Sequence, residues 1–280
     1  MFDRISYTWE IMGASWQVLK KDKGLILFPL FSSICCLVVF ASFCVPLYSF
    51  RQSHDPMFYV VLFCFYFVNY FVITFFNTGI VACAVSRMAG GDPTIGGGLR
   101  EAFKRIHLIA GWALVSATVG LALRMIAERS RLVGRIVTSI LGGAWTVMTY
   151  LVVPVLVVEN KGPIEAFKES TRLLTKTFGT RLMGHFGFGV MFLLLALPAF
   201  FLMFGAIFMA ASFHSPYLLF VLVGCGVVYL ILLALVQSAL QSIYQAAVYM
   251  YAQGALLSPS QAPGGHGFPV QLVRDAMYQK

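Results

Sequence analysis

Residues 217–252 read YLLFVLVGCGVVYLILLALVQSALQSIYQAAVYMYA, and this stretch contains no acidic or basic side chain. The absence of charge extends in both directions, from Leu182 to Val273. A soluble fold does not leave a stretch of that length uncharged, because much of its surface must face water. The stretch therefore predicts a chain that lies mostly in lipid.

The rest of the chain has the same character, with 59% hydrophobic and only 11% charged residues. A helix needs roughly 20 apolar residues to cross a bilayer, whose interior offers the backbone no other hydrogen-bond partners. Six segments are long enough, at about residues 24–50, 58–86, 108–127, 136–158, 183–211 and 217–252. The pattern predicts an all-α polytopic membrane protein with six transmembrane helices arranged as three hairpins.

The basic residues indicate how these spans are oriented. If the N-terminus is cytoplasmic, 15 of the 20 Lys and Arg residues fall in segments on the cytoplasmic side. The positive-inside rule then predicts a multi-pass protein of the inner (cytoplasmic) membrane with both termini in the cytoplasm. One outer loop departs from the rule, because it carries Arg129, Arg131 and Arg135. That loop either contacts lipid phosphates or an acidic partner, or is an ordinary solvated turn.

An amphipathic helix is predicted before the first, third and fifth spans, at about residues 3–21, 98–107 and 163–178. In the first of these, Ile5, Trp9, Met12 and Trp16 recur every three or four positions, as on one face of a helix. Such helices lie in the membrane interface and either contact lipid headgroups or anchor the hairpins at the correct depth. The candidate headgroup contacts are Lys20, Lys21, Lys23, Arg100, Lys104, Arg105, Lys168, Arg172 and Lys176.

Two groups of amides lie within predicted spans. Gln237, Gln241 and Gln245 repeat every four residues in the last span, and Asn69 and Asn77 are eight residues apart in the second. Amides in lipid seek hydrogen-bond partners across helix interfaces. These side chains therefore either line a polar pathway or a headgroup pocket, or join neighbouring helices.

Reactive chemistry has little support in this sequence. All six cysteines fall within predicted spans without a C-x-x-C pair, and the five histidines have no metal-ligand spacing. Arg124 is the one basic residue expected inside a span, where Glu128, four residues later, would pair with it. We therefore expect no enzyme activity, no cofactor, no metal and no nucleic-acid partner. Residues 1–257 are predicted to form a single membrane domain, and the Pro-, Gly- and Ser-rich residues 258–280 a flexible cytoplasmic tail.

Short motifs over nearly the whole chain resemble a family of prokaryotic six-span membrane proteins of unknown function. The matching positions are Phe2-Asp3-Arg4-Ile5-Ser6, Trp9, Ser15-Trp16, Leu19, Asp22-Lys23, Phe28-Pro29, Gly90-Gly91-Asp92-Pro93-Thr94, Glu165-Ala166, Ser170, Ala247, Tyr249, Tyr251-Ala252, Gly254, Gly267-Phe268, Leu272 and Ala276. The plan is also similar to the membrane domain of glycerophosphodiester phosphodiesterases. The resemblance implies six spans and no catalytic residues.

Two functions follow as hypotheses from these observations. The first is a non-enzymatic integral membrane protein that organises lipids or partner membrane proteins, as a homo-oligomer or as an accessory subunit. The second is a transporter or channel for a neutral or lipidic substrate, which would use the amides of the second and last spans.

Overall fold

The computed structural model describes residues 13, 15–52, 56–129, 133–178, 192–201, 204–205 and 216–254, and every regular element in these ranges is helical. A short 3-10 helix, Lys23–Ile26, leads into the second helix. The helices are α1 (15–21), α2 (Leu27–Gln52), α3 (Met57–Met88), α4 (Ile95–Lys104), α5 (Ile106–Arg129), α6 (Val133–Met148), α7 (Val152–Glu159), α8 (Pro163–Phe178), α9 (Phe192–Phe201) and α10 (Pro216–Gly254). The predicted all-α class is confirmed for the described residues.

Five stretches of helix in the described part are long and apolar enough to cross a membrane. They are Lys23–Arg51, Met57–Met88, Ile106–Glu128, Ile136–Glu159 and Val221–Met250. These stretches coincide with five of the six predicted spans. The remaining predicted span, 183–211, lies mostly outside the described residues, and its described part is the shorter apolar helix α9. The predicted tail, residues 258–280, also lies outside them.

The predicted span 136–158 is interrupted, because α6 ends at Met148 and α7 begins at Val152. The side chain of Ser170 in α8 lies beside this break. Its hydroxyl donates to the carbonyl oxygen of Met148 at 2.7 Å and accepts from the backbone N–H of Leu151 at 3.1 Å. The hydroxyl satisfies two backbone groups next to the interruption, which would otherwise be costly to bury.

Helix α4 begins three residues earlier than the predicted helix at about 98–107. Thr94 caps it, since its hydroxyl accepts from the N–H of Gly97 at 3.0 Å. The glycines at its start allow close packing on α3, because a Cβ at Gly98 would lie 2.6 Å from Cys83 Sγ and 2.8 Å from the Gly79 carbonyl oxygen. The glycine run therefore belongs to the helix and not to the loop before it.

The buried core lies toward one end of the helices. Helices α2 and α3 pack side by side in opposite directions, with Phe28 against Gly79 in the core and Phe40 against Phe65 farther out. The core also includes Ala166 of α8 and Tyr249 near the end of α10. We call this the packed end. We call the opposite end, where Tyr59 of α3 meets Glu128 of α5, the open end.

Candidate functional site

Two clusters of charged residues lie at the packed end. In the first, the guanidinium of Arg87, near the end of α3, donates to both carboxylate oxygens of Asp22, from Nε at 2.6 Å and from Nη2 at 2.5 Å. Its Nη1 donates to Asp92 at 2.5 Å. Because Asp22 lies just before the 3-10 helix and Asp92 in the α3–α4 turn, one arginine joins three segments of the chain.

The second cluster is centred on Glu159, the last residue of α7. Its Oε1 accepts from the hydroxyl of Tyr249 at 2.8 Å and from the amide of Gln253 at 3.2 Å, both in α10. Its Oε2 pairs with Lys161 Nζ at 2.5 Å, and this hydrogen bond raises the pKa of Lys161 above its ordinary value. The cluster therefore joins the ends of α7 and α10.

Lys161 also connects this cluster to α8. Its Nζ lies 3.3 Å from Glu169 Oε2, and the other oxygen of Glu169 pairs with Arg172 Nη2 at 2.9 Å. Every charged member of this cluster thus has an opposite charge as neighbour. Such an arrangement holds the helix ends in place.

Three of the candidate headgroup contacts are already paired with carboxylates. Lys104 and Arg105 each lie 2.6 Å from an oxygen of Glu101, and their hydrogen bonds lower the pKa of Glu101 below its ordinary value. Arg172 is paired with Glu169, as described above. Their charges are partly neutralised within the protein, so they are weaker candidates for binding anionic lipid.

Five other candidates have exposed side chains and make no ion pair with any residue that the structure describes; they are Lys20, Lys21, Lys23, Arg100 and Lys168. The ammonium group of Lys20 lies over the ring of Trp16, 5.6 Å from its centroid. The side chain of Lys176, the last candidate, lies outside the described residues.

Each amphipathic helix carries an exposed large apolar residue three or four positions from one of these free basic residues. Trp16 precedes Lys20 in α1, Phe103 follows Arg100 in α4, and Ile164 precedes Lys168 in α8. The apolar members are 43%, 60% and 63% exposed, respectively. Residues at this spacing share a helix face. We call these the apolar–basic pairs.

Other faces of the same three helices pack toward one core. Val18 of α1 and Ala166 of α8 are buried in it, each two residues from both members of its pair, and Gly98 of α4, two residues before Arg100, packs against Phe28 of this core. The three helices are therefore fixed relative to one another at the packed end. Their apolar–basic pairs remain accessible on the outside.

The five candidate amides, all in described residues, differ in their hydrogen bonds. Asn77 of α3 accepts from the hydroxyl of Ser242 in α10 at 3.0 Å, so it joins two helices. Asn69 donates to the carbonyl oxygen of Phe65 in its own helix at 2.8 Å. The three glutamines are half-buried and have no hydrogen-bond partner among the described residues; they are Gln237, Gln241 and Gln245.

The predicted pair of Arg124 and Glu128 is present at the open end of the third span. Arg124 Nε donates to Glu128 at 3.0 Å, and the hydroxyl of Tyr59 donates to the other carboxylate oxygen at 3.3 Å. In the described residues, no three His, Cys, Asp or Glu side chains come together as a metal site requires. The cysteines are free thiols, and of the six only Cys83 is buried.

Sequence reasoning missed both charged clusters and the role of Ser170. One partner of each central residue is distant in sequence, since Asp22 is 65 positions from Arg87 and Tyr249 is 90 positions from Glu159. One signal was available, because Asp22, Asp92, Ser170 and Tyr249 all belong to the motifs that carried the family resemblance.

One family model matches residues 56–257, which is most of the chain, and its description is "Family of unknown function (DUF6159)". A comparison with curated proteins gives no match.

Proposed function

The chain therefore belongs to this family of unknown function, and from that premise we propose that it is a non-enzymatic membrane protein that organises anionic lipids at one face of the bilayer. The observation that carries the proposal is the set of three apolar–basic pairs on helices that share one core. An exposed apolar side chain inserts below the headgroups, and the neighbouring cation meets a phosphate at about 1 kcal/mol per Lys or Arg.

The proposed topology has six spans with the packed end in the cytoplasm. Helix α8 lies at the packed end, whereas α10 starts at the other end and returns to it. We place the sixth span of this topology between α8 and α10, where the apolar helix α9 lies. This crossing, added to the five candidate spans, makes six. With an even number of spans both termini lie on the cytoplasmic side, where the basic residues favour them.

Retention of anionic lipid tests the function. The full chain is purified in mild detergent from membranes that contain phosphatidylglycerol, and the bound lipids are counted by native mass spectrometry. The variant Lys20→Gln/Arg100→Gln/Lys168→Gln removes one free cation from each helix. We expect it to lose most of the phosphatidylglycerol while it keeps neutral lipid, because only the anionic headgroup interacts with these charges.

The matched control is Lys104→Gln/Arg172→Gln, which removes cations that are already paired with Glu101 and Glu169. We expect it to retain nearly as much anionic lipid as the wild type. Equal retention by the triple variant and the wild type would contradict the proposal.

A transporter or channel for a neutral or lipidic substrate is the second candidate. The observation that favours it is the absence of hydrogen-bond partners for Gln237, Gln241 and Gln245 of α10 among the described residues. Gln237→Cys should then react with a membrane-impermeant maleimide in intact membranes, since a polar pathway admits water. A thiol at this position that stays unreactive while an exposed-loop cysteine is labelled would count against this candidate.

A further inference from the structure

A heptad pattern of accessible residues runs along α10. The spacing alternates between four and three residues, at Val227, Ile231, Ala234, Ser238, Gln241 and Gln245. The first four are exposed and the two glutamines are half-buried. This spacing places all six on one seam of the helix, which is the arrangement that a second helix packs against in a left-handed pair. We call it the α10 seam.

The chain's own neighbours contact α10 on the side opposite the seam and along one edge of the seam. The hydroxyl of Tyr229 donates to the carbonyl oxygen of Leu195 in α9 at 2.8 Å. Tyr229 is two residues from Val227, so it projects from nearly the opposite side of the helix. On the side toward α3, Ser242 donates to Asn77. The α10 seam therefore lies beside these contacts and is left accessible by the helices that the structure describes.

The residues of the seam suit a close helix pair in lipid. Ala234 and Ser238 are small, and Gly224 continues the same spacing toward the start of the helix. A Cβ built on Gly224 meets no atom within 4 Å, so that position faces open space. Small residues allow two backbones to approach, which is how transmembrane helices gain packing energy without a hydrophobic driving force.

The amides indicate which partner fits. Two copies of this chain have the same orientation in a bilayer, so a two-fold pair of α10 helices must be parallel. In a parallel pair each seam residue faces its own counterpart, and Gln241 would face Gln241. An amide both donates and accepts, so two identical glutamines satisfy each other, whereas two identical lysines or glutamates would repel.

We infer that the α10 seam is the interface for a second copy of this chain, with Gln241 and Gln245 hydrogen-bonded across a parallel pair. The inference deepens the proposed function by naming the partner. It rests on that proposal only for the common orientation of the two copies, and not on lipid binding.

Disulfide crosslinking in native membranes tests the geometry. The background is the full chain with Cys83 kept, because it is buried, and with the other five cysteines replaced by Ala. Into it we introduce Ser238→Cys on the seam, or Leu232→Cys as the control. Leu232 is 57% exposed but is two residues from Ala234, hence on nearly the opposite side of the helix. We expect several-fold more covalent dimer from Ser238→Cys.

A second measurement removes the amides without adding a thiol. The dimer fraction in native lipid is measured by single-molecule photobleaching. We expect Gln241→Leu/Gln245→Leu to raise the dimer dissociation constant about tenfold, because the loss of each amide hydrogen bond should raise this constant about threefold. The control is Asn69→Leu, which removes an amide of α3 that donates to a carbonyl of its own helix and should leave the dimer fraction as it is.

Crosslinking at Leu232→Cys that equals or exceeds that at Ser238→Cys would overturn the inference, as would a monomer in native lipid. Lipid counting on the same preparations separates the two proposals. A monomer that still retains phosphatidylglycerol would contradict the dimer inference alone. A dimer that retains no phosphatidylglycerol would contradict only the proposed lipid-organising function.

Discussion

The two ends of the helix bundle differ in how far the side chains of the same helices are covered by the rest of the protein. Phe28 in the first turn of α2 is 1% exposed, whereas Val45 later in that helix is 71% exposed. In α10 the order is reversed, since Val221 near its start is 63% exposed and Tyr249 near its end is fully buried. Both helices therefore have a part held by protein contacts and a part that faces outward.

The difference separates two sources of stability. At the packed end, close contacts and paired charges fix the helices relative to one another. At the open end, large apolar side chains remain exposed, which lipid tolerates and water does not. A substitution at the packed end should therefore destabilise the protein more than the same substitution at the open end.

The largest effect is expected from Arg87→Met, compared with Arg124→Met. Asp22, the partner of Arg87, has a side chain only 15% exposed, so its carboxylate would lose two hydrogen bonds in a poorly solvated place. We expect a loss of about 2–3 kcal/mol in the free energy of unfolding, measured by SDS titration in mixed micelles. Arg124 and Glu128 are about 40% exposed, and exposed pairs contribute at most about 1 kcal/mol. Equal losses would show that the two ends do not differ in this respect.

A smaller effect is expected when one methyl group is added at a tightly packed glycine and at an exposed one. At Gly98 the new Cβ of alanine would lie 2.8 Å from a backbone oxygen of Gly79, whereas a Cβ at Gly143 meets no atom within 4 Å. Gly98→Ala should cost about 2 kcal/mol, because overpacking outweighs the helix preference of alanine. Gly143→Ala should be neutral or stabilising by up to about 1 kcal/mol. The same SDS titration checks both, and a stable Gly98→Ala variant would contradict the tight contact with α3.

The spans, the Gly98 contact and the Arg87 pair show how much of the fold could be predicted from sequence. Hydropathy and length alone define a span, so five spans were predictable. The contact between Gly98 and α3 was not predictable, because three consecutive glycines have the composition of a loop and give no sign that they begin helix α4. The Arg87 pair was not predictable either, since an arginine at the end of a span looks like an ordinary positive-inside charge.

The candidate lipid-binding site, like the fold, could be predicted only in part from the sequence. Periodicity shows that Arg100 and Lys104 lie on an amphipathic helix. Only the structure shows that Glu101 forms an ion pair with Lys104, whereas Arg100 has no ion pair among the described residues. The break after Met148 had one signal in the sequence, Pro154, which has no backbone N–H to donate to the carbonyl of Tyr150. Its stabilising hydroxyl comes from Ser170, about 20 residues later, and a contact of that kind is set by tertiary packing.

Ser170→Ala should have a moderate effect. It leaves the Leu151 N–H and the Met148 carbonyl without their partner in a buried place, which costs about 1–2 kcal/mol. The control is Ser42→Ala in α2, whose exposed hydroxyl donates only to the carbonyl of Val38 in its own helix. Its thermal midpoint in detergent should match that of the wild type. A Ser170→Ala midpoint that also matches would mean that the interrupted helix does not depend on this hydroxyl.

The smallest effect concerns pH. Glu159 raises the pKa of Lys161 in the folded protein above its value in the unfolded chain. The stabilisation by this pair is therefore complete below the unfolded pKa and is lost as the pH rises through the folded pKa. The contribution is at most about 1 kcal/mol, because Lys161 is about one-third exposed.

Glu159→Gln keeps an acceptor for Tyr249 but removes the charge that Lys161 meets. Thermal midpoints measured from neutral to strongly alkaline pH should fall less steeply for this variant than for the wild type, although the variant starts lower. The difference between the two curves reports the charge of Glu159, which acts on Lys161 and on the neighbouring hydroxyl of Tyr249. Lys168→Gln, which removes a lysine without an ion pair in the described chain, should reproduce the wild-type slope. Parallel curves for Glu159→Gln and the wild type would mean that the Glu159 cluster joins α7 and α10 through its neutral hydrogen bonds and not through its charge.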